Sequence, residues 1–340
     1  MSNEPGVPDV QTGDHRVQRG VALIATVRDE ISSVHAFLSG IERQTVHPEE
    51  FVVVDGGSTD GTVAALERWR PACGCRAHVI VKAGVGIAAG RNIAITASSA
   101  PLIAVTDAGA ELRTDWLEQM VAPLARSTPP DVVSGFFEPM GDSFAERAIA
   151  ATITPTLSEI DPDGFMPSSR SVLFSRDTWS RVGGYPEWLD YCEDLVFDFA
   201  LRDSGARFEF QPEAVVGWVG RPSLRAFAKQ YYRYARGDGK AGLFPRRHAA
   251  RYGAYAFAVG ALVLAAKAPV ILLVGFGAFA AYLVGPERRV LARRTQFPRL
   301  QLLRAVLLAP VIVIVGDVAK MAGYPAGRAW RRRNAGKLPA

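Results

Sequence analysis

Four short apolar runs separated by helical segments constrain this chain more than any other feature. Val21–Thr26, Phe51–Val54, His78–Val81 and Leu102–Thr106 are continuous or nearly continuous runs of strand-forming residues. Between the first two, Ser32–Arg43 places Val34, Phe37, Leu38 and Ile41 on one helical face. Thr62–Arg70 and Gly86–Ala97 fill the later gaps with helical character. Runs without polar alternation read as strands buried on both faces, and regular strand–helix alternation reads as a parallel sheet. The expected fold class is therefore α/β, a mostly parallel Rossmann-like sheet with helices on both faces.

In such sheets ligands bind beyond the carboxyl ends of the strands. Acids stand at three of those ends: Asp29 and Glu30 after the first run, Asp55 after the second, Asp107 after the fourth. An Asp at a turn or helix start is ordinary, but three such ends on one sheet edge point to a polar site. Gly84-Val-Gly-Ile-Ala-Ala has the form of a dinucleotide fingerprint, with Asp107 about twenty residues on. It belongs to the third strand–helix unit, whereas that fingerprint opens a fold, and the first strand here ends without glycine. The pattern after residue 110 is less regular. It suggests helices at Trp116–Leu124, Asp194–Arg202 and Leu224–Ala235, a strand at Val132–Phe137, and a site-facing loop from Thr152 to Arg170.

The charge is divided unevenly. The last hundred residues hold sixteen Lys and Arg against two acids, Glu287 and Asp317, a formal +14. The first 240 residues carry −9, so the net +5 averages two unlike parts. The bases of the tail bracket apolar blocks at 254–285 and 302–323, with clusters at Arg288–Arg294 and Arg331–Arg333. Membrane segments are flanked this way, whereas a nucleic-acid groove interleaves bases with polar and aromatic residues. No nucleic-acid partner is expected. The first block is long for one span of about 20 residues and short for two, so a hairpin bending at Lys267–Pro269 is expected. The second block is then re-entrant, interfacial or doubled back, if both basic clusters face the cytoplasm. Residues 1–17 are polar, with no apolar leader, and are expected to be disordered. Three cysteines cannot build a disulfide framework, which fits a reducing compartment.

Val52-Val-Val-Asp-Gly-Gly-Ser-Thr-Asp-Gly-Thr resembles the nucleotide-binding signature of family 2 glycosyltransferases with the GT-A fold. The resemblance continues in family order across about residues 20–240. Thr26–Glu30 is similar to the nucleotide-contacting loop after the first strand, and Gly90-Arg91-Asn92 to a turn near the donor. Asp107 stands at the DxD motif, Cys192-Glu193-Asp194 resembles the ED motif, and Gln230-Tyr-Tyr-Arg233-Tyr234 resembles QxxRW.

The resemblance implies an inverting transfer of a sugar from a nucleotide-diphosphate sugar, with Asp194 as catalytic base beside Glu193. It implies donor contacts from Thr26, Glu30, Asp55, Arg91, Asn92, Asp107, Gln230 and Arg233, and an acceptor contact from Arg170. It also implies a divalent cation, Mg²⁺ or Mn²⁺, on Asp107, although Gly109 stands where the second DxD carboxylate would be. Trp218 stands about where many members carry a His, and Tyr234 replaces the Trp of QxxRW.

The expected organisation is a disordered segment at 1–17, a catalytic domain at 18–240 facing the cytoplasm, and a membrane-associated helical region at 241–340. Its position favours a lipid-linked or glycan acceptor near membrane lipids. The alternatives are a polyprenyl-phosphate sugar synthase and a non-catalytic membrane scaffold that keeps the fold.

Overall fold

The computed structural model describes residues 20–265 and 270–337. The disorder and missing leader expected over 1–17 lie outside these residues, as do Lys267 and Pro269. The alternating half forms as expected, running β1 (Val21–Val27), α1 (Ile31–Glu42), β2 (Glu50–Asp55), α2 (Thr62–Arg68), β3 (Arg76–Val81), α3 (Ile87–Ala97) and β4 (Leu102–Val105). The strand order here is β3-β2-β1-β4, all parallel. Strands β1, β2 and β4 are buried on both faces. One face packs Leu23, Ala25, Phe51 and Val53 against Val34, Phe37 and Ile41 of α1. The other packs Ile24, Val52 and Ile103 against Ala94 and Ile95 of α3.

The second half departs from the parallel expectation. It contains β5 (Ala110–Leu112), α4 (Trp116–Val121), β6 (Val132–Met140), α5 (Phe144–Ile153), β7 (Val172–Ser175), α6 (Arg176–Arg181), α7 (Glu193–Asp203) and β8 (Phe208–Val219). The order continues β4-β7-β6-β8-β5. Strand β7 runs antiparallel to β4 and β6, β8 is parallel to β6, and β5 is antiparallel to β8. The cause lies in the connection. The chain reaches Val172 opposite Val105, at the carboxyl edge of β4, so it enters β7 from that edge and needs no crossover helix. That route leaves Arg170 at the edge where Asp107 stands.

Helix α8 (Leu224–Ala241) starts at Ser223, whose hydroxyl accepts from the backbone of Ala226, and ends at Gly242 in a left-handed conformation. Three longer helices follow: α9 (Pro245–Ala265), α10 (Val270–Ala292) and α11 (Arg299–Arg333). The block at 302–323 does not double back, because it lies inside one continuous helix. Helices α10 and α11 are long and apolar enough to cross a membrane. Phe257, Leu262 and Val263 of α9 and Leu273 and Phe276 of α10 are bare apolar surface.

The lower tail is fastened to the body. Phe227 of α8 and Ala148 and Ile149 of α5 share an apolar core with Ala305, Ala309 and Ile312 of α11. Arg293 donates to the carbonyls of Thr154 and Pro155 at 2.9 and 3.0 Å, satisfying groups at the end of α5. Arg289 pairs with Glu159 at 3.0 Å. Part of the basic charge expected to meet lipid therefore docks protein instead.

Helices α8 and α11 touch backbone to backbone. A Cβ on Gly327 would meet the Arg236 carbonyl oxygen at 2.1 Å, and one on Gly239 the Tyr324 carbonyl oxygen at 2.3 Å. Small residues permit such an approach, and a side chain there forces the helices apart. Gly327→Val is expected to lose about 1–3 kcal/mol, read as a fall of several degrees in the melting temperature of the detergent-solubilised protein. Gly275→Val, where nothing lies within 4 Å, is the control. Equal melting of Gly327→Val and wild type would contradict the packing.

Candidate active site

Two loops at the carboxyl ends of β1 and β2 are stitched together. Asp29, at φ 54°, accepts from the Thr59 backbone at 2.8 Å, and its own N–H donates to Ser58 Oγ at 2.7 Å. The Ile31 N–H donates to Asp60 at 3.0 Å and the Glu30 N–H to Thr62 Oγ1 at 2.9 Å. Asp55 departs from the donor-contact expectation. It is fully buried, and its carboxylate accepts from the Gly57 and Ser58 N–H groups at 2.8 Å and from the Ser58 hydroxyl. Its oxygens are spent on shaping the loop. Thr26 and Glu30 remain part-exposed at this edge. Gly90 is required beside Thr26, since a Cβ there would meet Thr26 Cγ2 at 2.8 Å.

Arg91 is the hub of the adjacent cluster. It is 4% exposed and donates to Glu193 Oε1 at 2.8 Å and to Asp107 Oδ1 at 3.1 Å. Arg170 approaches the other oxygen of Asp107 at 3.3 Å. The Arg170 guanidinium lies over both the Phe137 and Trp218 rings, 5.7 and 5.6 Å from their centroids. Four distant segments thus meet on Asp107 and Arg91: α3, the end of β4, the approach to β7 and the start of α7. Arg91 is too enclosed for the direct donor contact expected of it.

Asn92 is likewise engaged by protein. Its amide donates to the Tyr185 carbonyl and Glu187, both at 2.9 Å, and accepts from the Tyr185 N–H at 2.9 Å and Trp179 at 3.1 Å. It fixes the Gly183-Gly-Tyr-Pro turn and has no capacity left for a ligand. Gln230 is buried and donates to the Tyr234 hydroxyl at 2.7 Å, which orients Tyr234 and leaves Gln230 off the donor surface. Arg233 is part-exposed and donates to the Tyr191 hydroxyl at 2.8 Å.

The start of α7 holds Glu193 and Asp194, where the helix dipole favours negative charge. Asp194 is part-exposed, and its Oδ1 accepts from the Leu195 N–H at 2.9 Å. Burial, reinforced by Asp194, pushes the Glu193 carboxyl up despite Arg91. Burial also opposes the charge on Arg91, but Glu193 and Asp107 outweigh it and hold the guanidinium protonated. Sequence reasoning missed Asp198. It is 2% exposed, its Oδ2 has no hydrogen-bond partner, and burial together with Asp194 pushes it well above the usual carboxylate range. Its position one helical turn after Asp194 was the available signal.

No group of three His, Cys, Asp or Glu suited to a metal occurs among the described residues. Asp107 alone occupies the expected metal position. Each of its oxygens keeps a lone pair beyond the one facing an arginine. A single carboxylate with substrate phosphates is an arrangement that Mg²⁺ accepts.

Residues 23–166 match the family model described as Glycosyl transferase family 2. Glycosyltransferase AglE of Haloferax volcanii is 26% identical over 217 residues, 62% of this chain and 70% of that protein. Among solved structures, mannosyltransferase PcManGT from Pyrobaculum calidifontis, in complex with GDP-Man and Mn²⁺, is similar with a TM-score of 0.55. It is 20% identical, and the match covers 92% of this chain and 86% of that one. The fold is GT-A.

The buried acid predicts a pH response. A carboxyl raised in the folded state gives stability that is full below its ordinary value, 3.8, and is lost as pH rises through the raised value. Asn carries no charge at any pH. Asp198→Asn is therefore expected to gain melting temperature relative to wild type as pH rises above about 4. A difference that stays flat from pH 5 to pH 9 would contradict this.

Proposed function

We propose, from the premise that residues 23–166 are a glycosyl transferase family 2 domain, that this chain moves a sugar from a nucleotide-diphosphate sugar to a membrane-proximal, lipid-linked glycan acceptor. The observation that carries the reading is the placement of Asp194 at the start of α7, beside the Arg91–Glu193–Asp107–Arg170 cluster. In this reading the loops at Thr26 and Glu30 receive the nucleotide, with Asp55 and Asn92 holding their surroundings in shape. The Arg233 guanidinium offsets the charge of the diphosphate, and Arg170, expected at the acceptor, is drawn by Asp107 toward the donor side, where it adds to that offset.

Asp194 takes the proton of the acceptor hydroxyl as its oxygen attacks the sugar carbon, and the nucleoside diphosphate leaves from the opposite face. A single acting carboxylate with direct displacement gives inversion. Asp107 is the one protein carboxylate offered to Mg²⁺ or Mn²⁺ arriving with the donor, and the ion would help neutralise the leaving phosphates. The ion held by a similar mannosyltransferase supports this cofactor class.

The membrane part of the proposal rests on helices α9 and α10. Tyr255 and Tyr282 both donate to Asp317 Oδ2, at 3.3 and 2.7 Å, which brings the two helices together on α11. Their bare apolar surface sits in the lipid and leaves the catalytic body, about residues 18–240, at the cytoplasmic face. Arg288 and Arg294 lie at the base of this pair, where anionic headgroups attract them.

Asp194→Asn is expected to lower kcat about 10²- to 10⁴-fold in a transfer assay with labelled nucleotide sugar and membrane extract. Donor KM should stay within about twofold, because the donor contacts are elsewhere. An unchanged kcat would reject Asp194 as base. It would point to an acceptor that is already a phosphate anion, as in a polyprenyl-phosphate sugar synthase.

A further inference from the structure

The residue before Glu193 and Asp194 is held in an unfavourable conformation. Cys192 has φ 65° at the start of α7 and is not glycine. A left-handed conformation is unfavourable at such a residue and persists where surrounding contacts enforce it. Those contacts come from α8. The Cys192 thiol lies 3.2 Å from the Tyr234 carbonyl oxygen and 3.4 Å from Asp238 Oδ1. Gly237 lets α8 press on the turn, since a Cβ there would meet the Tyr191 carbonyl at 2.6 Å and Cys192 Sγ at 2.8 Å. Burial and the Asp238 charge push the thiol up, so it stays protonated and can donate.

Asp238 is in turn held by the tail. His248 of α9 is 3% exposed, stacks on Tyr324 of α11 at 3.8 Å, and places Nε2 3.0 Å from Asp238 Oδ2. Its Nδ1 lies 3.3 Å from Arg251 NH1. A guanidinium only donates, so Nδ1 accepts and the Nε2–H donates to Asp238. Arg251 then reaches Asp317 of α11 at 2.9 Å. One chain of polar contacts therefore runs from the tail helices to the turn carrying Glu193 and Asp194.

We propose that Asp238 and His248 are positioning residues for sugar transfer: acting through the Cys192 thiol, they hold the left-handed turn that aims Asp194. Helix α9 is then part of the active site as well as of the anchor. The inference rests on the assignment of Asp194 as the base. Arg91 grips Glu193 from the opposite side of the turn, so the cluster around Asp107 keeps its hold when α8 releases Cys192, and the slack falls on Asp194. Loosening the turn therefore lowers kcat and spares donor binding, an outcome that general destabilisation does not produce.

The test uses the full-length protein in lipid vesicles, with His248→Phe, Asp238→Asn, Cys192→Ala and Cys192→Ser. The Phe keeps the stack on Tyr324 and removes the donor. The Ser keeps a donor at 192, and the Ala removes it. His248→Phe, Asp238→Asn and Cys192→Ala are expected to lose kcat about 10- to 100-fold, with donor KM within about twofold. Cys192→Ser is expected to restore most of the rate. Wild-type kcat in Cys192→Ala, or no rescue by Ser, would overturn the proposal, even if the other variants fail to fold. A wild-type protein inactive with every nucleotide sugar would reject the transfer reading itself, whereas an active wild type with unaffected variants rejects this inference alone.

Discussion

A single buried guanidinium ties the two halves of this catalytic body together. Arg91 comes from the last helix of the regular alternating half, and its partners Glu193 and Asp107 come from α7 and from the end of β4. A charge this enclosed is tolerated only with its partners in place, and removing one partner of a buried pair commonly costs about 3–5 kcal/mol. Each acid therefore depends on Arg91 for its location. Arg170 adds a second cation on Asp107 and is itself confined by Phe137 and Trp218. The result is a site whose charges are fixed before a ligand arrives, the condition under which electrostatic stabilisation of developing charge is strongest.

The tail carries the second constraint. Glycines at 239, 323 and 327 bring α8 and α11 to backbone contact, so the lower part of α11 is a support for the catalytic body. The apolar surface of α9 and α10 is left bare, while His248 of α9 reaches Asp238 and Tyr282 of α10 reaches Asp317. The tail helices and the turn carrying Glu193 and Asp194 are thereby parts of one packed unit.

The alternating half was legible because burial on both faces leaves a simple pattern, and β1, β2 and β4 fall where their apolar runs stand. The strands of the second half were less legible. Val172–Ser175 is too short to show a period, and its direction is set by a connection that hydrophobicity does not report. Acids at strand ends do gather on one edge of the sheet, but spacing could not separate side chains left exposed there from those spent on the scaffold. Asp55, Arg91 and Asn92 have their polar atoms largely committed to protein, and Gln230 commits its amide N–H to Tyr234. Asp238 and His248 carried no visible signal, because a pair ten residues apart on different helices meets only after α8 and α9 pack.

The proposed nucleotide-sugar site lies at the carboxyl edge of β1, β2 and β4, pre-formed before a ligand arrives. The most direct measurement is thermal stabilisation of the full-length protein by UDP, GDP, TDP and CMP and their sugars, each with and without Mn²⁺. Ligand binding to the native state stabilises by about 2.7 kcal/mol at a hundredfold excess over Kd. Saturable stabilisation by one nucleotide class and its sugar, strengthened by Mn²⁺, is expected. Unchanged melting with every nucleotide and nucleotide sugar would contradict it.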